Sequence, residues 1–300
     1  MRKIAIIGAG PAGYTLAGEL VKAGGYQIDI FDKEDAIGGA IHTGIPDFRM
    51  PKAFLDKTFA SLSEAGVHFH FHTMVDEKKF AQLRSEYDRV VVAIGAQIEN
   101  TFGFETGNGV VAGLTLLYDL NMLHKEEEYK KYHKAIVWGG GNVAMDCARA
   151  LKRIVDEVTI VYRRSLKEMP ANQIEISAAE KEGVQIAFLT NIKDINRDEN
   201  GKVISVNAVK MGLGETDDSG RASCHEIEDS EFVQETDLVA MAIGQKVDFT
   251  VLDPALKKTE THLSTLENVY ITGDAYTGPK TISAAFLDGK ALAKEIEESF

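Results

Sequence analysis

The chain has 300 residues, of which 44% are hydrophobic and 26% charged, and its formal net charge at pH 7 is -13. This length and composition predict a globular protein large enough for two domains, each with its own core. The acidic balance argues against nucleic-acid binding, which needs a basic stripe, and no apolar run approaches the roughly 18 residues of a membrane span.

Two features of the sequence bear on its location and redox chemistry. The first predicted strand begins near Lys3, which leaves no room for a signal or transit peptide ahead of it. We therefore expect a cytoplasmic protein with neither a membrane nor a nucleic acid as a partner. The two cysteines, Cys147 and Cys224, lie far apart in sequence and predict neither a C-x-x-C redox pair nor an iron-sulfur cluster.

The chain opens on a short apolar run, residues 3–7, that stops at a glycine-rich turn. In this turn Gly8 permits a tight bend, Gly10 lets backbone N–H groups approach a pyrophosphate, and Gly13 lets the following helix pack closely on the strand. The positive end of that helix then faces the phosphates. The stretch predicts the strand, turn and helix of a dinucleotide-binding domain.

The second predicted strand, residues 27–31, is followed by Asp32, nineteen residues past Gly13. An acid at this distance accepts hydrogen bonds from both hydroxyls of an adenine ribose. A lone glycine pattern is weak evidence. Strand, turn, helix and acid in this order predict a site for an adenine dinucleotide rather than an ordinary glycine turn.

The next segment, residues 38–51, lacks periodicity and begins with Gly38 and Gly39, which predicts a loop of the kind that carries ligands. A half-buried strand at 67–72 and a buried strand that ends at Gly95 follow. Three histidines share one face of the strand at 67–72. Because no carboxylate or thiol lies at ligand spacing, we interpret them as an exposed face and predict no metal site.

The opening pattern is then repeated 131 residues further along, with Ala144 standing at the position of Gly13. The second strand of this copy is predicted at 158–162, and the same offset places Arg163 opposite Asp32, followed by Arg164. Two guanidinium groups suit a 2′-phosphate through charge-assisted hydrogen bonds and leave no acceptor for a 2′-hydroxyl. The alternative is a pair of ordinary surface arginines.

Both copies end in a similar strand, since residues 87–95 and 236–244 share the run Ala-Ile-Gly. The second copy is longer by eighteen residues, and we expect the excess in a hairpin-like region with turns at Gly201 and at 217–220. The last sixty residues are too few for a third domain, so we expect them to complete the first one. The predicted fold class is α/β, with two Rossmann-like dinucleotide-binding domains, the second inserted into the first.

Taken in order, these motifs resemble those of the glutamate synthase small (beta) subunit and of related FAD- and NAD(P)-binding pyridine nucleotide oxidoreductases. The resemblance covers nearly the whole chain and rests on residues 8–13, 45–49, 139–146, 162–164, 168–171, 273–274 and 288–290. Members of that family carry a cysteine-rich amino-terminal iron-sulfur domain, for which this sequence shows no counterpart. The glutathione and thioredoxin reductase architecture is also similar, but the redox cysteine pair of thioredoxin reductase has no counterpart.

The resemblance implies a FAD-binding domain at residues 1–100 and 247–300 and an NADP-binding domain at residues 101–246. It places FAD against Gly10, Pro11, Ala12, Gly13, Asp32, Lys33, Gly38, Gly39, Ala40, Arg49, Val75, Asp274, Thr281 and Ile282, with Gly8, Gly95 and Gly273 shaping the turns. It places NADPH against Gly140, Gly141, Asn142, Val143, Arg163, Arg164, Ala242 and Gly244.

We therefore expect hydride transfer from NADPH to FAD and onward transfer of electrons to a partner protein or small acceptor. Because the cofactors carry this chemistry, we assign no catalytic residue. Two alternatives stay open: a non-catalytic or sensory flavoprotein, and a subunit whose activity needs a separate iron-sulfur or glutaminase chain. The oligomeric state is also open, with a homodimer as one alternative. We interpret Cys147 as a packed helix residue rather than a redox thiol.

Overall fold

A computed structural model describes residues 1–216 and 220–300, and the chain forms two compact units. Unit 1 comprises Met1–Ile98 and Gln245–Phe300, and unit 2 comprises Glu99–Gly244. The second unit is thus an insertion within the first. Of the hairpin turn predicted at 217–220, residues 217–219 lie outside the described part of the chain.

Strands and helices are interspersed in both units, and a run of strands follows the eighth helix. The strands are β1 (Arg2–Ile7), β2 (Tyr26–Phe31), β3 (His68–His70), β4 (Arg89–Val92), β5 (Ile98–Glu99), β6 (Val110–Ala112), β7 (Lys134–Trp138), β8 (Glu157–Val161), β9 (Gln185–Ala187), β10 (Thr190–Arg197), β11 (Val203–Thr216), β12 (Ala222–Glu226), β13 (Phe232–Glu235), β14 (Leu238–Met241), β15 (Gln245–Lys246) and β16 (Val269–Ile271). The helices are α1 (Pro11–Ala23), α2 (Ala40–Thr43), α3 (Ala53–Glu64), α4 (Glu77–Glu86), α5 (Gly113–Asn121), α6 (Glu126–Tyr129), α7 (Asn142–Lys152), α8 (Gln173–Lys181), α9 (Asp274–Thr277) and α10 (Ile282–Glu298).

Unit 1 is built on a five-stranded parallel sheet in the order β16-β4-β1-β2-β3. In its register Ile7 lies beside Phe31 on one side and beside Val92 on the other, and Ile271 lies beside Val92. The loops that follow β1, β2, β4 and β16 therefore leave the sheet at one edge. The C-terminal segment completes this sheet through β16, and ligands of parallel sheets bind at such an edge.

Helices α1 and α10 pack closely against each other on one face of this sheet. A Cβ atom on Gly289 would lie 2.5 Å from the carbonyl oxygen of Ala12, so only glycine allows this approach. Ile4, Ile6 and Leu16 are fully buried in the core beneath the two helices. Burial of such side chains stabilises the unit by about 1.5–3 kcal/mol each.

Unit 2 repeats this plan with a parallel sheet in the order β6-β14-β7-β8-β9. The segment between β9 and β14, which is longer than its counterpart in unit 1, forms an antiparallel sheet in which β11 pairs with β10, β12 and β13. In each copy, an aspartate at an equivalent position bonds to a backbone amide at the start of the first strand. Asp88 accepts a hydrogen bond from the Lys3 amide at 2.7 Å, and Asp237 accepts one from the Lys134 amide at 2.9 Å.

The histidine-bearing strand is shorter than its alternating pattern predicts. The pattern spans residues 67–72, whereas β3 covers only His68–His70. The strand ends because His72 adopts a left-handed conformation, with φ of 51°, and the Thr73 amide then bonds to the Asp32 carbonyl at 2.8 Å.

In the described part of the chain, no helix has the length and apolar character needed to cross a bilayer.

Candidate dinucleotide sites

The first glycine turn has a shape that only its glycines permit. Gly8 has φ of +110°, and a Cβ atom there would lie 2.4 Å from the Ala93 carbonyl oxygen. A Cβ atom on Gly13 would lie 2.1 Å from the Gly8 carbonyl oxygen. A side chain at either position would push β1 away from β4 or lift α1 off the turn, because the neighbouring atoms belong to the backbone.

Gly10 differs, because its missing side chain leaves open space. It precedes α1, whose first residue is Pro11, and the nearest atom to a Cβ placed on Gly10 is the Gly39 Cα, at 3.8 Å. No side chain caps the helix and no acid lies in its first turn. The free N–H groups and positive dipole of α1 therefore meet a gap at backbone level, which fits a pyrophosphate.

Asp32 closes the ribose end of this turn. Its carboxylate accepts hydrogen bonds from the Ala9 amide at 2.6 Å and from the Glu34 amide at 2.9 Å. Each carboxylate oxygen can accept a second hydrogen bond, so the half-buried group is held in place and can still bind ribose hydroxyls. Lys33 is exposed beside it, and Val75 is buried in the core three residues after His72.

The loop after Asp32 returns to the glycine turn. The Gly38 amide donates to the Ala9 carbonyl at 2.8 Å, and a Cβ atom on Gly39 would lie 2.9 Å from the Gly10 Cα. Ala40 then begins α2. Arg49 lies further on in a turn where its amide donates to the Pro46 carbonyl at 3.0 Å. The structure thus brings residues 8–13, 32, 38 and 39 together.

The C-terminal segment meets the same turn. A Cβ atom on Gly273 would lie 2.7 Å from the Ala12 Cβ, and Asp274 begins α9 directly afterwards. Burial raises the pKa of the Asp274 carboxyl, although its hydrogen bond from the Lys280 amide at 3.2 Å opposes the shift. Thr281 caps α10 by accepting from the Ala284 amide at 3.2 Å, and Ile282 is the first residue of that helix. Gly95, after β4, has φ of +69° and open space in place of its side chain.

A buried ionic network holds this C-terminal turn, and the sequence analysis missed it. Asp288 on α10 accepts hydrogen bonds from the Gly273 amide at 2.6 Å and the Thr272 hydroxyl at 2.7 Å. His262, which is 7% exposed, lies 3.2 Å from Asp288 and 2.7 Å from Glu295. The sequence signal was weak, because His262 lies in an aperiodic loop 26 residues before Asp288.

His262 and Asp288 each shift the pKa of the other. Burial of the His262 ring opposes its protonation, but its hydrogen bonds to the Asp288 and Glu295 carboxylates outweigh burial, and the pKa of His262 is raised. Burial likewise opposes ionisation of Asp288, but His262, Thr272 and the Gly273 amide outweigh it, and the pKa of Asp288 is lowered. Both shifts favour the charged forms of His262 and Asp288, and Asp288 bonds directly to the turn that precedes Asp274.

The second glycine turn repeats the first in unit 2. Gly139 has φ of +144°, and a Cβ atom there would lie 2.2 Å from the Ala242 carbonyl oxygen. Gly141 precedes α7, and no atom lies within 4 Å of a Cβ placed on it. Asn142 starts that helix with its side-chain oxygen accepting from the Asn172 amide at 2.9 Å, and Val143 follows it. The open cradle at the helix end again fits a phosphate group.

The register of unit 2 corrects one step of the sequence comparison. Strand β7 pairs with β8 so that Trp138 lies beside Val161, whereas Ile7 lies beside Phe31 in unit 1. The residue that structurally matches Asp32 is therefore Tyr162, not Arg163. The offset of 131 fails here because the stretch between the turn and the second strand is one residue shorter in the second copy.

Tyr162 and the two arginines have distinct environments. A Cβ atom on Gly140 would lie 2.4 Å from the Tyr162 ring, so this ring packs on the glycine turn. Its hydroxyl donates to the Glu168 carbonyl at 2.8 Å. Arg163 is exposed, whereas Arg164 is only 6% exposed, and its Nε donates to the Ala222 carbonyl at 2.6 Å. The position of the ribose-binding acid thus holds a phenol, with two guanidinium groups directly after it.

The remaining residues of the second turn close it from the β14 side. The Ala242 amide donates to the Trp138 carbonyl at 2.8 Å, and Gly244 has φ of +109° with open space in place of its side chain. Cys147 is fully buried and donates to the Gly113 carbonyl, and burial raises the pKa of its thiol well above the usual value. The expectation that Cys147 is a packed helix residue is confirmed. Within residues 1–216 and 220–300, no three side chains are grouped as metal ligands would be.

Two parallel sheets, each with an open glycine turn at the head of a helix, define a class of protein: a two-domain oxidoreductase of dinucleotide cofactors. The family model described as pyridine nucleotide-disulphide oxidoreductase matches residues 2–289. The chain belongs to this family. The match confirms the predicted resemblance, the fold class, the oxidoreductase class and the cofactor pair FAD and NADP.

Individual relatives agree with this placement. The chain is 36% identical to the NADP(+)-dependent formate dehydrogenase subunit beta of Moorella thermoacetica, over 99% of this chain and 44% of that protein. It is 32% identical to the glutamate synthase [NADPH] small chain of Azospirillum brasilense, over 98% of this chain and 65% of that one. The chain thus spans about half the length of the former and two thirds of the latter. Thioredoxin reductase of Lactococcus lactis shares the fold, with a TM-score of 0.71 at 18% identity over 99% of this chain and 98% of that one.

Proposed function

We propose that unit 1 holds FAD, that unit 2 holds NADPH, and that the protein reduces its flavin with NADPH and passes the electrons to a partner protein. The observation that carries the proposal is the difference between the two ribose ends. In unit 1 a fixed carboxylate, Asp32, accepts hydrogen bonds, and in unit 2 Tyr162 is followed by Arg163 and Arg164. A carboxylate suits ribose hydroxyls and guanidinium groups suit a 2′-phosphate.

The residues of unit 1 bind and orient the flavin cofactor. The free amides at the start of α1 would hold the pyrophosphate, and Asp32 would hold the adenine ribose. Asp274, kept in place by the Gly273–Asp288 hydrogen bond, would face the ribityl chain, and the amino-terminal end of α10 at Thr281 would stabilise negative charge. FAD, when bound, supplies the hydride acceptor for nicotinamide.

In unit 2, the start of α7 at Gly141 would hold the NADPH pyrophosphate, and Arg163 would bind the 2′-phosphate. A charge-assisted hydrogen bond is worth about 1.5–3 kcal/mol, and about 1.4 kcal/mol is a factor of ten in affinity. We therefore expect NADPH to be preferred over NADH by about two orders of magnitude. No side chain in this arrangement needs to act as an acid or base.

A partner protein as acceptor is supported by the names of the two relatives, a beta subunit and a small chain of larger enzymes. The thiols do not favour an internal dithiol acceptor, because Cys147 is buried with a raised pKa. The alternative of a subunit that needs a separate iron-sulfur or glutaminase chain is a form of the same proposal. A sensory flavoprotein would bind both cofactors but turn over negligibly.

The test is anaerobic stopped-flow mixing of the purified protein with NADPH or NADH, followed by an acceptor screen. We expect NADPH to bleach the flavin absorbance much faster than NADH at equal concentration, and ferredoxin-like proteins or ferricyanide to reoxidise it. Faster reduction by NADH would contradict the assignment of unit 2. Flavin that binds but is not reduced within minutes would favour the sensory alternative.

A further inference from the structure

The antiparallel sheet of unit 2 is attached to the ribose end of the second glycine turn. Ala222, the first residue of β12, pairs with Thr216 on β11. Its carbonyl oxygen accepts the hydrogen bond from Arg164 Nε at 2.6 Å. Arg164 therefore ties the segment after β8 to the β11–β12 hairpin, and its near-complete burial shows that this contact is part of the packed structure.

This attachment brings a third arginine to the same place. Arg221 directly precedes Ala222 and is half-buried. The hydrogen bond between Arg164 and the Ala222 carbonyl thus places Arg221 next to the segment that follows β8. Burial raises the pKa of the Tyr162 phenol, and the positive charges of Arg164, Arg221 and Arg163 oppose that rise. The same ring packs on Gly140, which links the cluster to the phosphate-binding turn.

We propose that Arg221 is a specificity-determining residue for the 2′-phosphate of NADPH, and that Arg164 is the positioning residue that brings it there. The inference rests on the proposed function and adds a residue to its NADPH site. One Arg164 nitrogen donates to a backbone carbonyl, and Arg163 is exposed and thus screened by salt, so a third positive charge would strengthen the discrimination. In a chain of net charge -13, Arg163, Arg164 and Arg221 would together form a local anion site.

The Rossmann repeat does not itself supply this residue. In unit 1 the equivalent edge carries no antiparallel insertion, since the sheet there consists of β16, β4, β1, β2 and β3. In unit 2 the hairpin lies in the longer segment between β9 and β14, so the segment that lengthens this copy would also equip it for a phosphorylated ribose. The hairpin thereby has a function in nucleotide selection.

The experiment measures binding of 2′,5′-ADP and 5′-AMP to the FAD-loaded full chain by titration calorimetry. We expect Arg221→Ala to weaken 2′,5′-ADP binding by about tenfold and to leave 5′-AMP binding unchanged. Arg221→Lys should keep part of the preference, and the salt dependence of 2′,5′-ADP binding should be smaller in Arg221→Ala. Lys202→Ala, which removes one exposed charge from the β10–β11 turn, is the matched control and should match the unmodified protein.

The role of Arg164 is tested by a double-mutant cycle. If Arg164 acts by placing Arg221, then Arg164→Ala with Arg221→Ala should lose less 2′,5′-ADP affinity than the two single losses combined. A purely structural role would instead weaken 2′,5′-ADP and 5′-AMP alike. Flavin content and circular dichroism check folding, and Arg221→Gln serves as a second variant if Arg221→Ala fails to fold.

The outcomes separate this inference from the proposal on which it rests. If the unmodified protein binds 2′,5′-ADP no better than 5′-AMP, the assignment of NADPH to unit 2 fails. If the unmodified protein prefers 2′,5′-ADP and Arg221→Ala keeps that preference in full, the role of Arg221 is overturned while the NADPH assignment stands. An equal loss for both ligands in Arg221→Ala also overturns it.

Discussion

The two glycine turns of this chain share one scaffold and differ at one strand end. In unit 1 the Gly38 amide bonds to the Ala9 carbonyl at 2.8 Å, and in unit 2 the Ala171 amide bonds to the Gly140 carbonyl at 3.1 Å, so the returning loop closes both turns alike. The difference lies at the residue after the second strand, which is Asp32 in unit 1 and Tyr162 in unit 2. In the proposed function, backbone geometry fixes where a dinucleotide binds, and the side chains at and after the strand end select which one.

The largest expected effect comes from filling the open cradle of either turn. Gly10→Val should abolish FAD binding, because the side chain would occupy the space beside the free amides, while its Cβ would meet the Gly39 Cα at an ordinary contact distance of 3.8 Å. Gly141→Val should keep FAD bound and abolish its reduction by NADPH. The measurements are the flavin-to-protein ratio and anaerobic reduction.

The matched control for these glycine changes is Gly18→Ala. Gly18 lies on α1, where an added Cβ would meet the Leu62 Cδ2 at an ordinary 3.7 Å, so both flavin content and reduction should be retained. Full FAD occupancy in Gly10→Val would mean that the first turn does not hold the cofactor. Loss of flavin in Gly141→Val would contradict the assignment of FAD to unit 1 and NADPH to unit 2.

The next effect concerns the two arginines of unit 2, which the structure separates. Arg163→Ala removes an exposed guanidinium group and should raise the KM for NADPH about tenfold with little change in stability. Arg164→Ala removes a buried bond to the Ala222 carbonyl and should also lower the free energy of unfolding by about 1.5–3 kcal/mol. Steady-state kinetics and denaturant unfolding measure the two effects. Equal stability losses in both variants would contradict the distinction.

The sequence predicted the fold well because each domain is organised by local patterns. Gly8, Gly10 and Gly13 lie in one turn, and the close contacts that exclude side chains there are short-range backbone contacts. The sequence comparison went wrong at Arg163 because the connection between helix and strand is one residue shorter in the second copy, and no motif marks the missing residue. The register of β8 is set by its packing in the sheet, and a fixed offset in sequence does not reveal it.

Side-chain networks assembled from distant segments could not be predicted either. His262 and Asp288 meet only because β16 and α10 bring two C-terminal segments together, and the hydrogen bond between Arg164 Nε and the Ala222 carbonyl brings Arg221 of the β11–β12 hairpin to the segment after β8. Neither His262 nor Arg221 lies in a periodic or glycine-rich pattern. Contacts of this kind depend on tertiary structure, and a single sequence holds no local signal for them.

A smaller effect is expected from the ionic network of unit 1, and it depends on pH. His262 has a raised pKa, so its contribution to stability is complete below about pH 6.5, its usual value, and is lost as pH rises through its folded-state pKa. Asp288 has a lowered pKa, so its contribution is present above about pH 3.8 and is lost as pH falls through its folded-state pKa. The network should therefore stabilise unit 1 most between these two values.

The test is His262→Gln, with melting temperature and flavin release followed from pH 5 to pH 9. The variant should lose stability mainly at the acidic end and should show a flatter decline above neutral pH. His133→Gln in unit 2 is the matched control, because His133 pairs with Asp156 at 3.0 Å but is 74% exposed, so water and salt weaken the interaction. A flavin-release curve for His262→Gln that parallels that of the unmodified protein would show that the network does not hold the turn.

The smallest difference is expected at the starts of β1 and β7. In both copies an aspartate accepts hydrogen bonds from backbone amides there, but the number of amides differs. Asp88 is exposed and accepts from one backbone amide, that of Lys3, whereas the half-buried Asp237 accepts from the amides of both His133 and Lys134 at 2.9 Å. A hydrogen bond contributes about 0.5–1.5 kcal/mol to stability, and water replaces it more readily at an exposed site. Asp237→Ala should therefore destabilise unit 2 by about twice as much as Asp88→Ala destabilises unit 1. Native-state hydrogen exchange, which reads the strands of each unit separately, is the measurement. A larger loss of protection in β1 of Asp88→Ala than in β7 of Asp237→Ala would show that the number of amides bound does not decide how strongly each strand start is held.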